Sequence, residues 1–257
     1  MKDEDFDSEE LPQRPNIADS VFEELRGQIL SGKLKAGQRL AGERELAISF
    51  GTNRNTLREA VRKLEQAGLV SVRHGQGVTV CDFRRTGTLE LFTPYLQSGP
   101  DMREIVEMLS DALTPRVMLI EYATRLAARR AVAADLEQLN ELCELLITAF
   151  NAKEARVVAN GFHRWLDALV DAGHSTAMRW ITNPFLRALK HLLNRLPMLW
   201  ILEPSFPDHL REVIRAIEAG DEEAAASTTR AYYQKVDAQL LQLLERVVAT
   251  TSPRQAS

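Results

Sequence analysis

A chain of 257 residues with 45% hydrophobic and 26% charged side chains has the apolar content of a folded protein, and its length suits two unequal domains better than one core. Apolar runs such as "VMLI" at 117–120 fall far short of the roughly 20 residues a membrane-spanning helix requires. Two cysteines, Cys81 and Cys143, are too few for a disulfide framework or a thiolate metal site and read as plain core or loop residues. The net charge of −4 hides an asymmetry: residues 26–81 carry ten basic side chains against four acidic ones, whereas residues 1–25 carry two against nine. Clustered Lys and Arg in an otherwise acidic chain point to a polyanion partner for that one segment, because neutralising phosphates requires local positive charge.

Residues 1–15, acidic and with two prolines, read as a flexible tail. They lack the basic start and apolar stretch of a signal peptide, which places the protein in the cytoplasm. From Ile17, apolar residues at Val21, Leu25, Ile29 and Leu30 recur at helical spacing until "SGKLKAGQRL" interrupts them with two glycines. "ERELAISF" predicts a short second helix stopped at Gly51, and a third begins at Asn53 or Arg54, with Leu57, Ala60, Val61 and Leu64 as its buried stripe and Gly68 as its end. "LVSVRH", the turn "GQG" and "VTV" then predict a two-stranded hairpin. Three helices and a hairpin over residues 16–82 make a winged helix-turn-helix, and residues 83–100 read as a connector with a short helix. Residues 101–250, rich in Leu, Ala, Glu and Arg and broken near 132–134, 151–153, 173–176, 197–207 and 220, predict six or seven helices, with a tail at 251–257. The fold class is mostly α: an N-terminal winged helix-turn-helix plus a C-terminal all-α antiparallel helical bundle.

The third helix begins with Asn53, Arg54, Asn55, Thr56 and Arg58 crowded into six positions. In a winged helix-turn-helix the N-terminal residues of this helix reach base edges in the major groove. Arg54 and Arg58 can donate paired hydrogen bonds to guanine, Asn53 or Asn55 can bond adenine, and Thr56 can bond a phosphate or pack on a thymine methyl. Arg44, at the start of the preceding helix, is placed for a phosphate. The wing tip offers Arg73 and His74 to a neighbouring groove, with Gly75 allowing close backbone approach.

The stretch "LAGERELAISFGTNRNTLREAVRKLEQAGLVSVRHGQGVTV" resembles the N-terminal domain of GntR-family transcription regulators. That pattern runs through E-R-E-L-A, a G-x-x-R-x-T-x-R-E-A core, L-E-x-x-G-L-V and a glycine wing; Ala41-Gly42 departs from the proline usual before the "ER". The helical remainder, through "PRVMLIEYATRLAARRA", "GFHRWLDAL" and "HLREVIRAIEAGDEEAA", resembles the FCD effector domain of the same family. The resemblance implies a site inside the bundle for a small carboxylic acid, often with a divalent metal. Of the family's four metal-ligand positions, His163 and His209 are kept, while Ala159 and Tyr232 replace the other two, so no metal and no other cofactor is expected.

Tyr232, Arg116 at the start of its helical stretch, His74 and the connector "FRRTGTLELFTPYL" are similar to the fatty-acid-responsive FadR branch, which is metal-free and uses a long-chain acyl-CoA. Arg116 suits an anionic effector, since a guanidinium holds a carboxylate or phosphate bidentately; its alternative is an ion pair with Glu121. His163 and His209 read alternatively as a hydrogen-bonded interior pair, and Tyr232 as a core aromatic with its hydroxyl satisfied. "HLLNRLPMLWILEP", with His191, Asn194 and Arg195 interspersed, can line an acyl-sized cavity or serve as bundle core. The expected protein is a homodimeric, non-enzymatic regulator that binds near-palindromic double-stranded operator DNA and no membrane. An organic anion, acyl-CoA or a small acid, modulates its affinity. The alternatives are a small-carboxylate regulator with a degenerate metal site and a helical metal-dependent enzyme resting on His163 and His209.

Overall fold

The Asn16 side chain accepts a hydrogen bond from the Ala18 amide at 3.2 Å and starts α1 (Ile17–Leu30), which buries Val21, Leu25 and Ile29. The computed structural model describes residues 16–73, 75–195 and 203–251. The predicted tail over 1–15, His74, most of the apolar stretch after Arg195 and the residues beyond Thr251 lie outside the described residues. The chain divides after Gly99 into two units, each described by itself.

In the first unit, α2 (Glu43–Ser49) and α3 (Arg54–Gln66) follow α1, and the expected stripe of Leu57, Ala60, Val61 and Leu64 is buried. Strands β1 (Val70–Arg73) and β2 (Gly77–Val80) pair antiparallel, with Val70 opposite Val80 and Arg73 opposite Gly77. The loop between α1 and α2 joins this hairpin: Leu40 N donates to Val78 O and Val80 N to Gln38 O, both at 2.9 Å. Glu65 on α3 accepts from the Val72 amide at 3.0 Å and ties the wing to the helix before it. The wing is thus anchored through backbone and side-chain bonds in addition to the burial of Val70, Val78 and Val80.

The stretch after the wing forms α4 (Phe83–Thr86), a single 3-10 turn at Leu89–Leu91 and α5 (Phe92–Gln97). Leu91 and Tyr95 are buried, α5 packs on α1, and the Tyr95 ring lies 5.7 Å from Phe83. The apolar side chains of this segment therefore draw it onto the first unit, where the sequence suggested one short helix in a connector.

The second unit consists, among the described residues, of α6 (Met102–Arg130), α7 (Ala133–Asn151), α8 (Ala155–Ala172), α9 (Thr176–Arg195), α10 (Phe206–Glu218) and α11 (Glu222–Thr251). Its centre is aromatic, with Phe162, Trp165, Phe206 and Tyr233 fully buried among Leu139, Leu146 and Leu166. Arg116 lies in the middle of α6 rather than at a helix start, because the helix continues through Pro115. A proline inside a helix costs about 3 kcal/mol, and the long contact of α6 with α11 opposes that cost. Ion pairs that cross this contact among the described residues include Arg116–Asp237, Arg230–Glu121, Arg125–Glu223 and Arg129–Glu222. Numbers rise on one helix as they fall on the other, so the two helices run antiparallel.

Gly68 ends α3 at φ +71, and a Cβ there would stand 2.4 Å from the Thr86 carbonyl oxygen. Gly75 has nearly the same backbone, φ +73, but open space around its Cβ position. Gly68→Ala is therefore expected to destabilise the protein by about 2 kcal/mol or more and Gly75→Ala by about 1 kcal/mol. Urea unfolding of the two variants checks the difference; equal losses would remove the Thr86 contact as its cause.

Candidate functional site

At the start of α3, Asn53 is the N-cap: its Oδ1 accepts from the amides of Asn55 at 2.9 Å and Thr56 at 3.0 Å. The Thr56 hydroxyl also donates to it at 3.3 Å. Gripping an adenine edge needs both ends of a carboxamide, and the oxygen of Asn53 is already committed to the helix. Asn55 is exposed and its side chain has no partner among the described residues, so it is the amide available for a base. Arg54 beside it is likewise exposed, and the positive end of the helix dipole adds to its charge.

Arg58, one turn further on, is held differently. Its Nε and Nη2 both donate to Oε2 of Glu43 at 2.8 Å, which links α3 to the first turn of α2, where Arg44 is exposed. Glu43 was not among the sequence candidates, because fifteen residues separate it from Arg58 and no periodicity connects them. Arg73 ends β1 exposed, and Gly75 at the turn is exposed. Among the described residues, Arg44, Arg54 and Arg73 are cations of this unit without an internal partner, and Arg58 is braced by a carboxylate.

In the second unit Arg116 is buried and pairs with Asp237 on α11, its guanidinium carbon 4.7 Å above the Tyr233 ring. Glu121, the partner considered from sequence, is instead taken by Arg230, with Arg125 at 3.5 Å. Arg230 and Arg125 hold the Glu121 carboxyl below its ordinary range. Burial pushes the Asp237 carboxyl up, although Arg116 opposes this.

His209 is buried and stacked on Tyr232, ring centroids 3.9 Å apart and planes 4° from parallel. Tyr233 meets both edge-on, at 6.1 Å from His209 and 5.5 Å from Tyr232. Arg116, Tyr233, Tyr232 and His209 therefore form one connected group. His163 stands apart: its partner is Asp167 on the same helix at 3.4 Å, so the interior histidine pair is not formed. The Tyr232 side chain lines the groove between α10 and α11 described below, and its hydroxyl has no hydrogen bond to a described residue. Tyr233 and Asp237, four positions apart on α11, were missed in the sequence; that spacing puts them on one helix face but does not say which face meets Arg116. Burial raises the pKa of both tyrosines.

A groove of about 580 Å³ opens between α10 and α11, lined by Ser205, Asp208, His209, Thr228, Tyr232 and Lys235 among others. At its edge the buried carboxylate of Glu203 accepts from Lys235 at 2.5 Å, Ser205 Oγ at 2.5 Å and Gln239 at 2.6 Å. These donors outweigh burial and hold it down to about 2. The donor set does not fit a divalent metal: among the described residues no three His, Cys, Asp or Glu side chains gather, Ala159 is a buried methyl, and the face of the His209 ring is covered by Tyr232. Tetrahedral or octahedral coordination needs more convergent donors than this.

Burial pushes His209 down to about 3, against about 6.5 in an unfolded chain. The unfolded state then binds the proton more readily, so stability present above pH 6.5 is lost as the pH falls toward 3, by up to about 1.4 kcal/mol per pH unit from this group. His209→Phe is expected to flatten the decline between pH 6 and 4 by roughly one proton. Urea unfolding at four pH values measures the slope, and an unchanged slope would show that His209 is not buried in its neutral form.

The sequence matches the description "Bacterial regulatory proteins, gntR family" over residues 17–80 and the FCD domain over residues 111–235. The uncharacterized HTH-type transcriptional regulator Rv0494 of Mycobacterium tuberculosis is 31% identical over 86% of this chain and 88% of its own length. The HTH-type transcriptional regulator Mce2R of the same species is 28% identical over 90% and 94%. The fold is similar to that of Lar, which controls expression of the Listeria monocytogenes agr system (TM-score 0.55, 19% identical, 88% of this chain and 97% of that chain).

Proposed function

Because the chain belongs to the gntR family of bacterial regulatory proteins and carries an FCD domain, we propose that it is a cytoplasmic homodimer controlling transcription from a near-palindromic operator. The observation that carries this reading is the exposed start of α3, where Arg54 and Asn55 stand free of internal partners while Asn53 and Arg58 are engaged in holding the helix. Arg54 and Asn55 read bases, Thr56 completes the cap beside them, Arg44 contacts the phosphate backbone, and the wing at Arg73 and Gly75 reaches a neighbouring groove. A two-fold dimer sets two such faces on a two-fold site.

The FCD domain takes an organic anion at Arg116, with His209 and Tyr232 beside it and His163 at a separate position. Long-chain acyl-CoA and a small carboxylate are the two effector classes. For the effector to release DNA it must bind the DNA-free protein more tightly than the DNA-bound one. A metal-dependent enzyme draws no support from two histidines that do not meet, and the matched families and relatives are transcription regulators.

Operator binding by the purified protein, with a probe from its own upstream region, tests the reading. Arg54→Ala is expected to weaken binding by roughly 5- to 150-fold, the loss of about 1–3 kcal/mol in a base contact. Asn53→Ala is expected to lower stability by about 1 kcal/mol through loss of the cap. Wild-type affinity in Arg54→Ala would rule out the proposed face. Adding a long-chain acyl-CoA or a panel of small carboxylates identifies the effector class by which of them releases the probe.

A further inference from the structure

Two of the ion pairs described between α6 and α11 are made by paired nitrogens. Arg230 grips Glu121 with two nitrogens, at 2.9 and 2.5 Å, and Arg129 grips Glu222 with two, at 2.8 and 2.6 Å. The most buried pair is not: Arg116 donates to one oxygen of Asp237 through one terminal nitrogen, and its enclosed Nε has no hydrogen-bond partner among the described residues. Desolvating a guanidinium and a carboxylate is repaid only when the geometry is good and the remaining donors are satisfied, so a purely structural buried pair would be expected to use both sides of the guanidinium fork. The side chains of Arg116 and Asp237 are 10% and 15% exposed, which puts the pair at the edge of the interior and within reach of a small solute.

The guanidinium carbon stands over the Tyr233 ring, 4.7 Å from its centroid, and the buried Tyr233 hydroxyl has no hydrogen-bond partner among the described residues. A planar cation on an aromatic base, with a donor fork half used, is built for a carboxylate approaching in its plane. Burial also raises the pKa of the Asp237 carboxyl, so its charge is held there at a cost.

We infer that Asp237 is an intramolecular stand-in for the ligand: it occupies the anion slot of Arg116 and Tyr233, and a free carboxylate enters by replacing it. The ligand class is a small carboxylate, the group whose shape and charge match the Asp237 carboxylate it replaces; the phosphates of a CoA are the rival anion, which the phosphate arm of the test distinguishes. The exchange also cuts a pair that joins α6 to α11, which couples entry of the ligand to the seam between the two helices. This rests on the reading of Arg116 as the effector contact, and Asp237 sets the affinity of that contact by competing at the high local concentration of a tethered group.

The test uses the full-length protein without DNA, so that it does not depend on operator binding. The melting temperature of wild type, Asp237→Ala, Asp237→Asn and Arg116→Ala/Asp237→Ala is followed against acetate, with chloride at matched ionic strength and inorganic phosphate as further arms. A ligand that binds only the folded state raises the melting temperature saturably. Acetate is expected to do so in Asp237→Ala with a dissociation constant at least tenfold below that of wild type, and not at all in the double variant. Asp237→Asn, which keeps the side-chain shape, carries the same expectation if the alanine variant does not fold. An acetate response no larger in Asp237→Ala than in the double variant overturns the inference, and so does stabilisation by phosphate without acetate. Operator titrations on the same proteins separate the two readings: acetate rescue without any change in operator affinity leaves the slot standing and counts against effector control.

Discussion

A guanidinium cannot be buried without a counter-charge, and that constraint organises the second unit. Arg116 on α6 requires Asp237 on α11, and the requirement fixes the register of two long antiparallel helices. The outer pairs, Arg230–Glu121, Arg125–Glu223 and Arg129–Glu222, repeat that register along the seam. Exposed pairs of this kind contribute little stability individually, so their role is to align the helices. The inner pair is the one in which a change of partner alters how α6 and α11 are joined.

The aromatic interior extends from this pair. Tyr233 under Arg116 meets Tyr232 and His209, and Phe206 continues the series to Phe162 and Trp165. A histidine stacked on a tyrosine in such surroundings stays neutral at ordinary pH, because burial penalises the imidazolium. With Ala159 and Tyr232 buried in it, the centre of the bundle is largely apolar. Charge is confined to its edges, at Arg116 on one side and Glu203 with Lys235 on the other.

On the first unit the division of labour follows from what a helix N-terminus demands. Its first amides need an acceptor, and Asn53 supplies one. Glu43 braces Arg58 against the preceding helix. The residues left without internal work, Arg54 and Asn55, are those whose hydrogen-bonding capacity is free for a partner. The wing is held by Glu65 and by the loop before α2, so the exposed tip is carried on a supported base.

The winged helix-turn-helix was legible in residue order alone, because its contacts are local: 3.6-residue spacing along α3, glycines at each stop, and alternation in the two strands. The helical character of the rest and most of its breaks were legible for the same reason. That α6 runs through Pro115 was not, since only packing against α11 offsets a proline in a helix. The separation of Asn53 from Asn55, and of Arg58 from Arg54, was likewise hidden, because four polar residues at the head of a helix look alike until one is seen to cap it and another to meet Glu43. His163 and His209, paired by residue type, were parted by their partners Asp167 and Tyr232. Sequence determined which residue types were available and on which elements they lay. The tertiary structure decided which of them were already satisfied, because a buried charge or an open helix end selects its partner by proximity in space, and Asp237, 121 positions from Arg116, is near it only once the chain has folded.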